Sequence, residues 1–272
     1  MIRRMFGALA DGLFNLQNRA LPITAWMPRF YQAQRLIRRD AGHTLDASCG
    51  AGDFTFWMAR RGMRVSGVNL SEAEIDVARA RAAAQGLDIE FQVGDLSART
   101  PFPDGAFDQI VSLDTVTHIP DDAAAFREFG RLLVSGGRLV VSLAAFAPSG
   151  GGGLYPAQQA LRRWIPRRMD APPVWSGKAW LRASAEDLQV SLRQRHFYDH
   201  RTFLDHLPEG FALEHYEYGL HFFSTLATDL LFGIRHARFF QPAVFALSAR
   251  LDRLLCRPRR PGYLLFMVLR RT

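Results

Sequence analysis

From His43 onward the sequence alternates short apolar stretches with amphipathic helical stretches, and this alternation restricts the fold more than any other feature. Five short runs predict strands: HTLDA, RVSGVNL, IEFQVGD, FDQIVSL and RLVVSLA. Helical patterns such as EAEIDVARARAAAQG and DAAAFREFGRLL lie between them. Strands that alternate with helices form a parallel sheet that is covered by helices on both faces. The sequence therefore predicts a doubly wound α/β fold.

The segments outside this alternation predict additions to one domain, residues 1–272. Residues 1–40 have helical patterns, and residues 148–200 mix aromatic residues, prolines and arginines without a period, over a length unusual for a simple loop. FALEHYEYG and GYLLFMVLRR predict two last strands. We expect a mostly parallel seven-stranded sheet with an N-terminal helical cap (1–40), a core (41–147), a lid after strand five (148–200) and a helical insertion between strands six and seven (220–258).

The composition is that of an ordinary globular protein, with 48% hydrophobic and 22% charged residues. The two cysteines, Cys49 and Cys256, are far apart, so we expect neither a disulfide framework nor a metal site. Asp11 interrupts the short apolar run near the N-terminus, which argues against a signal peptide. No apolar run approaches the roughly 20 residues of a membrane-spanning helix. These features predict a cytoplasmic protein.

The net charge of +8 comes entirely from the second half of the chain. Residues 1–147 carry 16 basic and 16 acidic side chains, whereas residues 148–272 carry 18 basic and 10 acidic ones. Such asymmetry is typical of proteins that contact an anionic surface or ligand, and an arginine-rich exterior in solvent accounts for it equally well.

A glycine turn, LDASCGAG, follows the first predicted strand. Gly50 and Gly52 allow backbone N–H groups to approach a ligand closely, at the N-terminus of a helix that favours negative charge. Ser48 stands where a first glycine is usual. No third glycine occurs near Thr55, which argues against NAD or FAD as the ligand.

Four ordered motifs closely resemble those of the class I S-adenosylmethionine-dependent methyltransferases. They are contained in LDASCGAG, GDLSARTPFPDGAFDQIVSLDTVTHIPD and EFGRLLVSGGRLVVS, and the resemblance covers roughly residues 43–143. It implies a Rossmann-like sheet and S-adenosyl-L-methionine as the cofactor. GVNLSEAEIDVARARAAAQG, with Asn69 in place of the usual acid, looks most like a branch that methylates terpenoids, sterols, sugars and similar small metabolites.

The resemblance implies cofactor-binding residues at the carboxyl ends of the first four strands. They are Asp46, Ser48, Gly50 and Gly52 around the methionine end, Asn69 at the ribose hydroxyls, and Leu70, Asp95, Leu96 and Leu113 around the adenine. The amide of Asn69 can both donate and accept hydrogen bonds, but it lacks the charge that strengthens them.

Three further residues are candidates for contact with the acceptor. His118, after strand four, resembles a histidine that serves as the base in some relatives, and a histidine that only fixes the turn is an equally good interpretation. His196 and Tyr198 lie near the end of the predicted lid and are candidates for contact with substrate. The competing interpretation of that segment is a helix cap.

Two interpretations also remain for residues 220–256, where apolar helical faces are flanked by arginines. The segment can lie on an anionic membrane, on its inner face, or it can close over the pocket or form a dimer contact. We expect methylation of a hydrophobic small molecule on carbon or oxygen: an isoprenoid, quinone, lipid or polyketide-like acceptor. SLDTVTH lacks the signature of base-amino methylases, so no nucleic-acid partner is expected. Retention of Gly50, Gly52 and Asp95 argues against a non-catalytic binding protein.

Overall fold

The computed structural model describes residues 28–144, 203, 207–219, 241–255 and 264–272. These residues form one seven-stranded sheet with the strand order β3-β2-β1-β4-β5-β7-β6. The strands are β1 His43–Ala47, β2 Arg64–Asn69, β3 Glu90–Val93, β4 Phe107–Leu113, β5 Leu133–Ala144, β6 Phe211–Gly219 and β7 Leu264–Arg271. The helices are α1 Pro28–Ala33, α2 Asp53–Ala59, α3 Glu72–Gln85, α4 Asp122–Leu132 and α5 Gln241–Leu255, with a short 3-10 helix at Val116–His118.

Strands β1 to β5 are parallel, and β7 runs antiparallel to both β5 and β6. This is the mostly parallel, seven-stranded, doubly wound arrangement that the sequence predicts. The predicted lid, residues 148–200, lies outside the described residues, and of the predicted insertion only α5 is described.

The sheet is buried on both faces, and the alternation along β5 shows how. Leu139, Val141 and Leu143 belong to one apolar cluster, which includes Phe126 and Phe129 of α4. Val140 belongs to a second cluster on the other face, in which α1 and α2 contribute apolar residues. Successive side chains of a strand point to opposite faces, so helices on both sides cover the same strand.

The structure corrects the predicted start of the fifth strand, which the sequence places at RLVVSLA, after the turn-like residues Ser135, Gly136 and Gly137. Strand β5 already begins at Leu133 and continues through these residues to Ala144. The pairing with β4 shifts register between Phe107 and Gln109, which pair with Leu133 and Arg138. The extra residues therefore form an irregularity inside the strand, with Gly136 at a φ of 75°.

Helix α5 packs against α1 with one face and exposes the other. Ser248, Ala249 and Asp252 are buried, whereas Leu247 and Leu254 are 58% and 80% exposed. Among the described residues, none of the helices combines the length and the apolarity that a bilayer span requires.

Candidate cofactor crevice

The candidate site lies at the carboxyl ends of β1 to β4, where the strand order reverses between β1 and β4. Open α/β sheets bind ligands at such a point, because the loops that follow the two central strands leave in opposite directions. Residues Ser48 to Gly52 connect β1 to α2 at this edge. The N–H groups of Ser48 and Cys49 both donate to the Val68 carbonyl, at 2.8 and 3.0 Å, which ties the turn to β2.

This turn has a left-handed backbone at three positions, Ser48, Gly50 and Gly52, with φ values of 73°, 54° and 85°. Glycine adopts this conformation without strain, whereas a serine side chain does not. A Cβ on Gly52 would also lie 2.9 Å from the Phe56 ring. The structure thus requires glycine at position 52, and it places Ser48 in a conformation in which its side chain is unfavourable.

Asp46 is buried at the end of β1, directly before this turn. The Thr55 hydroxyl donates to its carboxylate at 2.6 Å. Burial raises the pKa of the Asp46 carboxyl from near 3.8 to about 7, although hydrogen bonds from Thr55 oppose the shift. Among the described residues no cationic side chain offsets this burial. A ligand ammonium would favour the ionised carboxylate, so the site fits the cationic methionine end of the implied cofactor.

Asn69 ends β2 and is hydrogen-bonded to Glu74, a residue that the sequence motifs did not indicate. Its side-chain amide nitrogen donates to the Glu74 carboxylate at 2.7 Å. Glu74 lies in the first turn of α3, whose N-cap Ser71 accepts from the Glu74 backbone at 3.4 Å. The sequence signal for Glu74 was the pattern Ser-x-x-Glu directly after the strand, which resembles a capping box.

The end of the crevice where the adenine is expected has an exposed apolar surface. Leu70 is 69% exposed and Val93 is 37% exposed, at the ends of β2 and β3. Leu113 is half-buried and packs against the core cluster of α1 and α2. Covering exposed apolar side chains with a flat ligand group removes their apolar surface from water, which favours binding. Leu70 therefore fits the role of an adenine-stacking residue.

Asp95 and Leu96 follow β3 at the same edge. One oxygen of the Asp95 carboxylate accepts from the backbone N–H and the hydroxyl of Ser97, at 2.8 and 2.7 Å. These bonds fix the carboxylate, and its second oxygen can still accept from an amino group. The Leu96 side chain is buried in the core, so its contribution to the crevice is limited to the backbone.

His118 lies in the 3-10 helix after β4, so it belongs to the same edge of the sheet. It is half-buried, and its backbone N–H donates to the Thr115 carbonyl at 2.8 Å. The preceding Asp114 has a left-handed φ of 59°, and its N–H donates to the Ser142 hydroxyl at 2.8 Å. The local chain is thus held firmly, while the role of His118 as a base stays a prediction.

The two other candidates for substrate contact, His196 and Tyr198, lie outside the described residues. The sequence motifs did not indicate Thr117 either. Its hydroxyl is buried and has no hydrogen-bond partner in the described part of the chain. In that same part, no group of three or more His, Cys, Asp or Glu side chains could hold a metal ion.

Comparison with protein families and curated proteins identifies the same stretch of chain. A family model described as a methyltransferase domain matches residues 45–141. The methyltransferase GfsG of Streptomyces halstedii is 38% identical over 106 residues, which is 38% of each chain. A ubiquinone biosynthesis O-methyltransferase of Xylella fastidiosa is 31% identical over 150 residues, 52% of this chain and 60% of that protein. This chain therefore spans less than two thirds of the length of these relatives.

Solved structures share the fold over a longer part of the chain. An S-adenosylmethionine-dependent methyltransferase from Mesorhizobium loti has a TM-score of 0.56 at 22% identity, covering 90% of this chain and 98% of that one. A geranyl diphosphate C-methyltransferase from Streptomyces coelicolor, in complex with S-adenosyl-L-homocysteine, has a TM-score of 0.51 at 21% identity, covering 89% and 76%. Residues 45–141 thus match a methyltransferase domain, and the protein has the fold of solved S-adenosylmethionine-dependent methyltransferases.

Proposed function

We propose that this protein transfers a methyl group from S-adenosylmethionine to the carbon or oxygen of a hydrophobic small molecule, such as an isoprenoid, quinone, lipid or polyketide-like acceptor. The observation that carries the proposal is the composition of the crevice, with the buried carboxylate of Asp46 at one end and the exposed Leu70 at the other. An ammonium-bearing adenosine compound complements both groups. Relatives named for ubiquinone biosynthesis and for geranyl diphosphate support an apolar acceptor.

The protein's main contribution to such a reaction is binding and orientation. When bound, the cofactor supplies a methyl group that is already activated on a sulfonium. Asp46 would accept hydrogen bonds from the ammonium group, and Asp95 would accept from the adenine amino group. Holding two reactants in line contributes much of the rate in such displacements. His118, in its neutral form, would take the proton from a hydroxyl acceptor.

Calorimetric titration with S-adenosylmethionine tests the cofactor site directly. We expect saturable binding, which Asp95→Ala weakens by about 1–3 kcal/mol because a hydrogen-bond acceptor is lost. The matched control is Asp88→Ala, which removes an exposed carboxylate elsewhere in the described chain. Without saturable heat for the folded wild-type protein, the alternative of a non-catalytic binding protein would be favoured. Equal affinities of the Asp95 variant and wild type would exclude Asp95 from the site.

The acceptor class is tested with a cofactor that carries an isotopically labelled methyl group. The protein is incubated with this cofactor and a cell extract, and the products are separated into organic and aqueous phases. We expect protein-dependent label in the organic phase, and less of it with the Asp95→Ala variant than with Asp88→Ala. Label confined to the aqueous phase would contradict an apolar acceptor, and label in nucleic acid would indicate a nucleic-acid methylase.

We also propose that α5 contacts an anionic membrane surface on the cytoplasmic side, where an apolar acceptor would reside. Leu247 and Leu254 are exposed on the side of α5 opposite its buried face, with exposed Arg250 on that same side and exposed Arg253 at its margin. Apolar and basic side chains on one helix face suit the boundary between lipid headgroups and acyl chains.

Vesicle flotation tests this membrane contact. We expect the protein to float with vesicles rich in phosphatidylglycerol and to remain in solution with pure phosphatidylcholine. A double variant, Leu247→Ser and Leu254→Ser, should reduce flotation. Leu70→Ser is the control, because it also removes an exposed leucine but at the crevice. Equal flotation of the double variant and the control would exclude α5 as the contact.

A further inference from the structure

The end of β2 lacks the negative charge that would strengthen hydrogen bonds from ribose hydroxyls, but a carboxylate lies beside it. The Asn69 amide nitrogen and a Glu74 oxygen are 2.7 Å apart. A carboxylate only accepts hydrogen bonds, so the nitrogen of the amide must face it. This arrangement leaves the Asn69 oxygen and the remaining lone pairs of the Glu74 carboxylate to accept hydrogen bonds from a ligand.

Glu74 also lies against the glycine turn that follows β1. A Cβ placed on Gly50 would lie 3.7 and 3.8 Å from the two oxygens of the Glu74 carboxylate. The carboxylate is therefore in contact range of both walls of the crevice, the turn after β1 and the end of β2. The side chain is half-buried, so it is held by its neighbours and is still accessible to a ligand.

We propose that the Glu74 carboxylate accepts hydrogen bonds from the ribose hydroxyls of the cofactor. Asn69 positions the Glu74 carboxylate for this role. The inference rests on the proposed function, since it concerns the same cofactor. Hydrogen bonds to an ionised acceptor are roughly twice as strong as those between neutral groups. The negative charge that a strand residue would otherwise carry comes here from the first turn of the next helix, five residues later.

The competing role for Glu74 is structural. A glutamate three positions after an N-cap serine can complete a capping box, and near a helix N-terminus its charge interacts favourably with the helix dipole. Such a role affects the stability of α3 but does not depend on the hydroxyls of a ligand. The two roles therefore differ in their response to a cofactor analogue that lacks a ribose hydroxyl.

The test compares the binding of S-adenosylhomocysteine and of its 2′-deoxy and 3′-deoxy analogues by calorimetry. Glu74→Gln should weaken the binding of S-adenosylhomocysteine about tenfold, since hydrogen bonds to a charged acceptor become hydrogen bonds to a neutral one. Its effect on at least one deoxy analogue should be clearly smaller. Glu72→Gln is the matched control, because it neutralises an exposed glutamate in the same helical turn. We expect Glu72→Gln to bind S-adenosylhomocysteine with the wild-type affinity and to keep the wild-type preference for it over the deoxy analogues.

A charge swap sharpens the test. Asn69→Asp alone places a second carboxylate beside that of Glu74, so repulsion should make binding weaker than in wild type at neutral pH. Adding Glu74→Gln to Asn69→Asp moves the single charge to the strand and should restore binding to nearly the wild-type affinity. This recovery is a coupling between two neighbouring residues that independent effects do not produce.

The outcomes separate this inference from the proposed function. Absence of saturable binding by the folded wild-type protein would overturn both. Binding by wild type, with Glu74→Gln equal to Glu72→Gln, would overturn only the role of Glu74. A lower melting temperature for Glu74→Gln with an unchanged preference for the ribose hydroxyls would assign Glu74 to helix capping and also overturn it. Tighter binding by Asn69→Asp alone would contradict the pairing of the two residues.

Discussion

Two buried carboxylates in this protein have pKa values that are shifted in opposite directions, one at the crevice and one in the supporting structure. Asp46, at the crevice, has the Thr55 hydroxyl as a neighbour, and burial raises its pKa to about 7. Glu128, on α4, is also buried but receives hydrogen bonds from Arg131 at 2.6 and 2.8 Å. Desolvation pushes the pKa of Glu128 up, but the bonds from Arg131 and Thr100 outweigh it and lower that pKa.

The two environments have opposite consequences for stability. The group around Glu128 connects α4 to the chain between β3 and β4, because Thr100 donates to Glu128 and Arg131 donates to Asp104 and to the Phe102 carbonyl. A satisfied, paired charge of this kind holds the fold together. The carboxylate of Asp46, which has no cationic partner among the described residues, destabilises the folded protein when it is ionised, and this is tolerable only where a ligand compensates for it.

The largest effect is expected from breaking the pair on α4. Arg131→Met leaves Glu128 buried without its cation and should lower the free energy of unfolding by about 3–5 kcal/mol, as measured by urea denaturation. Arg127→Met is the control, because Arg127 lies on the same helix with its side chain 71% exposed. We expect the control to change stability by at most about 0.5 kcal/mol. Similar losses in both variants would remove the distinction between the two sites.

A smaller effect of opposite sign is expected at Asp46. The folded-state pKa of Asp46 is raised, so the stability that it contributes is present below about pH 4 and is lost as the pH rises through about 7. Near pH 8, Asp46→Asn should therefore be more stable than wild type, by at most about 4 kcal/mol. The gain should disappear in acid, where wild-type Asp46 is protonated. Cofactor binding should be weakened by the same change.

Urea denaturation at several pH values measures this trend, and Asp88→Asn is the control because Asp88 is exposed. For Glu128 the sign is reversed. Its folded-state pKa is lowered from near 4.5, so its contribution is present above that value and is lost as the pH falls through the folded-state pKa. An Asp46→Asn variant that gains stability in acid rather than in base would contradict the contrast.

The smallest effect concerns backbone strain at the same edge of the sheet. Ser48→Gly should stabilise the protein by about 0.5–1 kcal/mol, since glycine adopts the left-handed φ of 73° without a steric penalty. Asp114→Gly should gain less, because aspartate tolerates this region better than serine does. Urea denaturation of both variants measures the difference. A loss of stability in Ser48→Gly would show that the serine side chain stabilises the turn.

Local patterns predicted much of the fold. Strands β1, β4 and β6 have the bounds that HTLDA, FDQIVSL and FALEHYEYG predict, because turn residues flank each apolar run. The predicted start of β5 was wrong, since Ser135, Gly136 and Gly137 have the composition of a turn but form an irregularity inside the strand. Whether such residues form a turn or a bulge depends on how the strand pairs with β4, and the local sequence carries no information about that pairing.

The candidate site was predictable by position and much less by energetics. The motifs place Asp46, Asn69 and Asp95 at the ends of their strands, and the structure has them there. The absence of a cation from the described surroundings of Asp46 depends on distant segments, so no sequence pattern reveals it. The contact of Glu74 with Asn69 spans only five residues, but it depends on the side-chain conformation and on Ser71 capping the helix.

The position of β7 has a consequence for synthesis on the ribosome. Strand β7 lies between β5 and β6 although it follows both in the chain, and residues 264–269 are almost completely buried. Strands β1 to β5 can pair with one another while translation continues, but among the described strands β6 has β7 as its only neighbour. Until residues 264–271 leave the exit tunnel, β6 and the exposed side of β5 offer unpaired strand edges, which are the sites where chaperones or misfolding compete with the native sheet.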